Sequence, residues 1–399
     1  MIVQPADIRI LYPKKIDWDA FFAKKATTPF DIFCTEMLEA LSSSLLKDPQ
    51  ARQYPDVITF AFFCRKANIK KIQEQYEREE HRIGRGCLFH IAPSNVPINF
   101  AFSLVAGLLS GNNNIVRVSS KNFPQVEIIA RHIQDLSSSH ASTSRIVLVQ
   151  YDRDNREATD FFSSHSDVRV IWGGDATITS IRRSPIPSRS FDVTFADRYS
   201  FATINADAVS EDAVGKLAEG FYNDTYLFDQ NACSAPHLIV WTGDRKRIEQ
   251  VRERFWNSLH ELVAKKYEFQ SVMAVDKLTA MYRQAAAMEI REERTKDNFI
   301  KRVMLSSLND KIDEYRCACG YFSEYISKED INEVVPIVNN KYQTMSYYGY
   351  EEDRLKSFVQ ENKMKGIDRI VPIGHTTDFS LIWDGYDLIR TLSRKIQIL

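Results

Sequence analysis

The chain has 399 residues, 44% of them hydrophobic, enough to bury a large core and to divide into two or three domains. Its 52 lysines and arginines balance 53 aspartates and glutamates, so no net field favours nucleic acid or an anionic membrane. The start lacks the basic-then-apolar pattern of a signal peptide, and the longest apolar stretch, residues 100–109, falls far short of the roughly 20 residues of a membrane helix. With six unpatterned cysteines, the expectation is a reduced, cytoplasmic protein that neither binds nucleic acid nor inserts into a membrane.

Residues 1–85 read as mostly helical, with a charged finish over Lys70–Glu80 and no evident chemistry. From Gly86 short apolar runs at 87–92, 114–118, 145–150, 168–172 and 191–195 alternate with helical patterns near 98–110, 124–137, 154–164 and 175–183. Such alternation predicts βαβ units in a parallel, doubly wound sheet, with ligands at the carboxyl ends of the strands. No G-x-G-x-x-G follows the first strand, so a nucleotide would be held another way. The turn Pro93-Ser94-Asn95-Val96-Pro97 reads as a helix start, capped by Ser94 or Asn95 and closed at Gly111. An asparagine amide at that place is equally suited to bind an oxyanion. Arg117-Val118-Ser119-Ser120-Lys121 offers two cations and no carboxylate; it reads as a solvated loop or as a seat for the 2′-phosphate of NADP. The fourth strand ends in Trp172-Gly173-Gly174, where paired glycines permit close backbone approach.

In the second half, helical patterns near 207–222, 244–265, 276–293, 329–339 and 351–363 alternate with strands at 238–241, 342–347 and 368–372. The stretch Phe228-Asp229-Gln230-Asn231-Ala232-Cys233 places a cysteine in a polar turn just before the apolar run Leu238–Trp241. Cys34, Cys64 and Cys87 lie in apolar runs, where a thiol acts as a small hydrophobe. Cys317 and Cys319 form C-x-C without zinc-like spacing, so no metal is expected. His237 and His375 read as hydrogen-bonded structural residues ahead of proton carriers.

In this order the motifs resemble the aldehyde dehydrogenase superfamily and, within it, the LuxC-type acyl-CoA reductases. Pro93–Pro97 stands at the superfamily's P-W-N-F-P segment, Arg117–Ser120 at K-P-S-E, Trp172–Gly174 at F-T-G-S and Phe228–Cys233 at F-N-Q-G-Q-C. Val371-Pro372-Ile373-Gly374 and Asp378–Leu388 look like the LuxC-type terminal signature. The resemblance implies two doubly wound parallel-sheet domains with a cleft between them. Residues 1–85 would be the helical start of the cofactor domain, 86–205 its NADP(H)-binding part, 206–385 the catalytic domain and 386–399 a tail with an oligomerisation strand.

It further implies Cys233 as nucleophile and Asn95 as oxyanion donor, with Ser94, Arg117, Ser119, Ser120, Lys121, Trp172, Gly173 and Gly174 holding NADPH. The expected activity is reduction of an acyl thioester, acyl-CoA or acyl-protein, to an aldehyde by a homo-oligomer, with an acyl-protein synthetase as a candidate partner. Reduction of acyl phosphates and a non-reducing acyl-carrier role are the alternatives. Two departures matter. Alanine, Ala196, stands at or near the glutamate that activates water in aldehyde-oxidising relatives, and the ribose-binding E-x-F-G-P segment has no clear counterpart before Glu324.

Overall fold

The structure is a computed structural model that describes residues 2–76 and 81–398; the end of the charged stretch, residues 77–80, lies outside them. The chain forms two compact units, Met1–Ala196 with Leu381–Leu399, and Asp197–Ser380.

The first unit is built on six strands: β1 (Arg9–Tyr12), β2 (Cys87–Ile91), β3 (Asn113–Arg117), β4 (Ile146–Gln150), β5 (Val168–Trp172) and β6 (Phe191–Phe195). Their order is β1-β4-β3-β2-β5-β6, parallel throughout except for antiparallel β1. The chain runs outward from β2 to β4, then returns to the other side of β2 for β5 and β6. The strand order therefore reverses at β2 and β5, and a doubly wound sheet opens its binding crevice at the carboxyl ends flanking such a reversal. Every residue of β2 and β5 is buried, as expected where both faces of a parallel sheet are covered. The helix Asn99–Leu109 is buried all round from Phe100 onward, and Gly111 ends it with φ +87. A Cβ there would meet the Thr27 carbonyl oxygen at 2.3 Å, so only glycine fits.

Among the polar groups buried with that sheet, two stand out. His90 bonds Ser103 Oγ at 2.7 Å and Asn114 Oδ1 at 3.0 Å, and burial lowers its pKa to about 4, which keeps it neutral. Arg169 forms a two-pronged ion pair with Asp192 (2.7 and 3.0 Å) and donates to the Ile181 and Ser184 carbonyls, tying β5 to β6. The end of the chain also belongs to this unit: Ser393–Lys395 pairs antiparallel with Arg82–Gly84, and Asn112 Nδ2 donates to the Leu392 carbonyl at 2.9 Å.

The second unit holds β7 (Tyr199–Asn205), β8 (Pro236–Thr242), β9 (Ile290–Glu293), β10 (Lys301–Leu305), β11 (Tyr321–Ile326), β12 (Tyr342–Tyr348) and β13 (Arg369–Pro372). The order is β9-β10-β11-β8-β7-β12-β13, parallel except at the β9–β10 edge. Because Tyr199–Asn205 pairs with β8 and β12, the chain changes units after Ala196, ahead of the 205/206 boundary read from sequence. The pattern near 276–293 resolves into a helix, Ser271–Ala287, followed by the edge strand β9. The segment near 329–339 is a 3-10 helix over Ile331–Ile337.

A buried ion cluster locks one face of this sheet. Glu324, fully buried on β11, accepts from Arg252 (2.9 and 3.1 Å), Arg302 (3.0 Å) and the indole N–H groups of Trp241 and Trp256 (both 2.9 Å). Burial alone would raise its pKa, but Arg252 and Arg302 outweigh burial and hold the carboxyl below its ordinary value. A group of that kind stabilises fully above its unfolded pKa, and the contribution is lost as pH falls through the depressed folded value. Replacing Glu324 by Ala leaves the partly buried Arg302 without its carboxylate and Arg252 with Glu293 alone, and should cost about 3 kcal/mol. Urea unfolding should show a lowered midpoint at pH 7; an unchanged midpoint would rule out the cluster as a source of stability.

Candidate functional site

In the second unit the turn before β8 carries Cys233. The helix Val214–Thr225 leads into it, and Asp229 and Gln230 then take left-handed backbone, φ 51 and 58, which is costly for residues other than glycine. The side chain of Gln230 holds that conformation. It is buried, donates to the carbonyls of Pro236 (2.9 Å) and Tyr321 (3.1 Å), and accepts from the N–H groups of Gly320 (2.9 Å) and Tyr321 (3.2 Å). Behind it, Lys277 Nζ donates to the carbonyls of Phe299 (3.1 Å) and Cys319 (2.8 Å), and the Cys319 N–H donates to the Asp229 carbonyl at 3.0 Å. The Cys233 turn is thereby pinned to the amino end of β11.

Cys233 itself is half-buried, unlike Cys34, Cys64 and Cys87, whose thiols burial pushes up. Its carbonyl accepts the Ser200 hydroxyl at 2.7 Å, and its sulfur receives the Gln343 amide, Nε2 to Sγ 3.3 Å. Sequence reading assigned no role to Ser200, Gln343 or Lys277. Only the pairing of β7 with β12 and β8 brings Ser200 and Gln343 to the cysteine, and no local pattern announces that. His237 stacks on Tyr199 at 5.9 Å, and burial lowers its pKa to about 3; the ring is neutral at pH 7 and is no imidazolium acid. His375 is exposed and pairs with Asp378 at 2.8 Å. Glu324 is consumed by its ion cluster, which leaves it no capacity for a ribose.

In the first unit the predicted cofactor residues gather at the carboxyl ends of β2, β3 and β5. Ser94 and Asn95 are exposed in the turn after β2. Neither caps the next helix: it starts at Asn99 with Ile98 as its N-cap and no side-chain cap, because a turn at residues 97–98 intervenes. Gly174 is open, with nothing within 4 Å of an added Cβ. Trp172 is packed away, stacked on Phe195 at 3.7 Å with its indole N–H on Ser103 Oγ at 3.0 Å. Arg117 lies over the Tyr151 ring at 4.8 Å and donates to the Tyr151 carbonyl at 3.3 Å, so its guanidinium is engaged. Ser119 is buried and accepts the Lys121 N–H at 3.1 Å, which turns the loop so that Ser120 and the Lys121 side chain face solvent. Among the described residues no group of three or more His, Cys, Asp or Glu is arranged to hold a metal, and no helix is long and apolar enough to cross a membrane.

Solved structures with this architecture include aldehyde dehydrogenases. Thermus thermophilus 1-pyrroline-5-carboxylate dehydrogenase matches with TM-score 0.63 at 12% identity, over 94% of this chain and 82% of that one. Aldehyde dehydrogenase 21 of Physcomitrella patens matches with TM-score 0.62 at 12% identity, over 88% and 79%. The fold is therefore aldehyde dehydrogenase-like. At the level of family, residues 35–395 match the acyl-CoA reductase (LuxC) model, and the chain belongs to that family. It is 26% identical over 322 residues to the long-chain acyl-protein thioester reductase of Vibrio harveyi, covering 78% of this chain and 63% of the relative. The corresponding protein of Aliivibrio fischeri is 24% identical over 305 residues, covering 74% and 60%. The chain thus spans about 60% of the length of these relatives.

The signature segment Val371–Gly374 gains a physical reason within the second unit. Gly374 and Thr376 donate their N–H groups to Asp224 at 2.7 and 3.0 Å, and a Cβ on Gly220 would meet the Ile373 carbonyl oxygen at 3.1 Å. The segment is docked on the helix that leads into the Cys233 turn. Burial raises the Asp224 pKa to about 6. Raised above an unfolded value near 3.9, it gives stability fully present below about pH 4 and lost as pH rises through about 6, on the order of 3 kcal/mol. Melting temperatures across that window should fall more in the wild type than in Asp224→Asn; parallel profiles would dismiss the assignment.

Proposed function

We propose that this chain reduces an acyl thioester to an aldehyde through an acyl-cysteine on Cys233, with NADPH as reductant. The observation that carries the reading is a half-buried cysteine at the head of a central strand, fixed at both its carbonyl and its sulfur, in a chain of the acyl-CoA reductase family. The names of its relatives point to a long-chain acyl group delivered on a protein, and acyl-CoA is the other donor class. A homo-oligomer, and an acyl-protein synthetase as the donor's source, complete the proposal.

The residues at the switch point fit a nicotinamide dinucleotide. Ser94 and Gly174 are exposed where β2 and β5 end, and Ser120 and Lys121 put a hydroxyl and a cation at the end of β3 without a carboxylate to repel a 2′-phosphate. Lys121, exposed and without an ion pair among the described residues, takes the phosphate-binding part that sequence reading shared with Arg117. When bound, the nicotinamide supplies hydride.

The chain's own residues do the rest. The Cys233 thiolate attacks the thioester carbonyl, and the resulting oxyanion is assigned to the Cys233 backbone N–H and to the Asn95 amide; for Asn95 the warrant is its motif position and exposure. Loss of the donor thiol leaves acyl-cysteine. After reduction, collapse of the hemithioacetal frees aldehyde and restores Cys233. Ala196 offers no carboxylate to activate water, which favours an acyl-enzyme that outlasts hydrolysis.

Cys233→Ala should abolish covalent labelling by radioactive acyl-CoA and lower reduction by more than about 1,000-fold, while Cys87→Ala should label normally. Label retained in Cys233→Ala would overturn the reading. For the cofactor, Lys121→Ala should raise KM for NADPH several-fold more than KM for NADH, measured by steady-state oxidation of each; equal changes would remove Lys121 from the phosphate site.

A further inference from the structure

We infer that Gln343 holds the sulfur of Cys233 as thiolate, and so acts as the positioning residue of the nucleophile. The inference rests on the reading of Cys233 as the attacking group. Gln343 is fully buried on β12, its Nε2 3.3 Å from Sγ. The Thr344 hydroxyl donates to Gln343 Oε1 at 3.2 Å, an arrangement in which the amide N–H faces the sulfur. The neighbouring backbone completes the grip: the Thr344 N–H donates to Ser200 Oγ at 3.2 Å, and Ser200 donates to the Cys233 carbonyl at 2.7 Å. Two successive residues of one strand thus fix Cys233 at its sulfur and at its main chain.

A thiol sulfur is a weak acceptor, whereas hydrogen bonds to an ionised acceptor are roughly twice as strong as neutral ones. A donor fixed on Sγ therefore favours the ionised form, and a buried amide cannot exchange that contact for water. An amide also does not titrate, so its bias is the same at every pH. Nearby titratable groups behave otherwise. Burial keeps His237 and Tyr199 neutral at pH 7, Arg316 is paired with Asp197, and Lys277, lowered by burial to about 8, lies behind the Cys319 carbonyl.

In the reaction the Cys233 proton goes to solvent and the sulfur electron pair forms a bond to the acyl carbon. The bond from that carbon to the donor sulfur breaks, and the donor thiolate takes a proton from water. Once acylated, Sγ carries no charge and the Gln343 contact weakens. It strengthens again when the carbon–sulfur bond of the hemithioacetal breaks and its electron pair returns to Sγ. Gln343 thus favours Cys233 both as nucleophile and as leaving group.

The test of the sulfur needs neither acyl donor nor nicotinamide, and acyl-enzyme formation is followed separately with radioactive acyl-CoA. The full chain is alkylated with iodoacetamide from about pH 5 to about pH 10, and modification of the Cys233 peptide is followed by mass spectrometry. In Gln343→Met, which keeps the length and removes the donor, the midpoint of the rate profile should rise by about one pH unit, about tenfold slower alkylation at pH 7. Gln343→Glu, which sets a carboxylate against the sulfur, should raise it further; if that variant does not fold, Gln343→Met decides alone. Superimposed profiles for wild type and Gln343→Met would overturn the inference and leave the reductase reading standing. A shifted midpoint in a protein that forms no acyl-enzyme would uphold it and overturn the reductase reading.

Discussion

A cysteine on a turn is aimed only as well as the turn is held, and here the buried amide of Gln230 does the largest share of the holding. Gln230 satisfies four main-chain groups from β8 and the approach to β11, while its own backbone and that of Asp229 sit in a region that disfavours side chains. Each bond is worth on the order of 1 kcal/mol net, but each lost partner would leave a buried peptide group unsatisfied at about 1–3 kcal/mol. The strained backbone persists because the alternative is worse. Lys277 extends the same arrangement outward by fastening the Cys319 carbonyl.

Both units solve the cost of polar groups at the sheet in the same manner. Arg169 with Asp192 in the first, and Glu324 with Arg252 and Arg302 in the second, are charges taken out of water only together with their partners and with further donors or acceptors around them. Removing one member exposes the full desolvation cost of the others. These clusters join strand to strand or strand to helix, away from the residues assigned to chemistry.

The first sheet was legible to within a residue at each of its parallel strands, because each is a short, largely apolar run set between helical patterns, even where it carries a buried polar residue such as His90 or Arg169. Its antiparallel edge, Arg9–Tyr12, was hidden in a stretch that reads as helical. In the second sheet β11 carries Ser323 and Glu324 at its centre, and no apolar pattern reveals a strand whose buried charge is neutralised from elsewhere. The helix Ser271–Ala287 buries Lys277 and Gln284 and exposes Val272, Val275 and Tyr282, the reverse of the usual pattern, which displaced its boundaries in the sequence reading. The Phe228–Cys233 segment stands out in the sequence because its motif is contiguous. Gln343 does not, since its part is defined by a contact across more than 100 residues of sequence.

The return of Leu381–Leu399 to the first unit orders the events of synthesis. Residues 197–380 are contiguous, so the second sheet can close as soon as they have left the ribosome. The first sheet's strands emerge earlier, yet the partner of Arg82–Gly84 and the acceptor for Asn112 are translated only after the whole of the second unit. Until then Arg82–Gly84 lacks its strand partner and Asn112 its Leu392 acceptor, so the first unit, begun before the second, is completed after it.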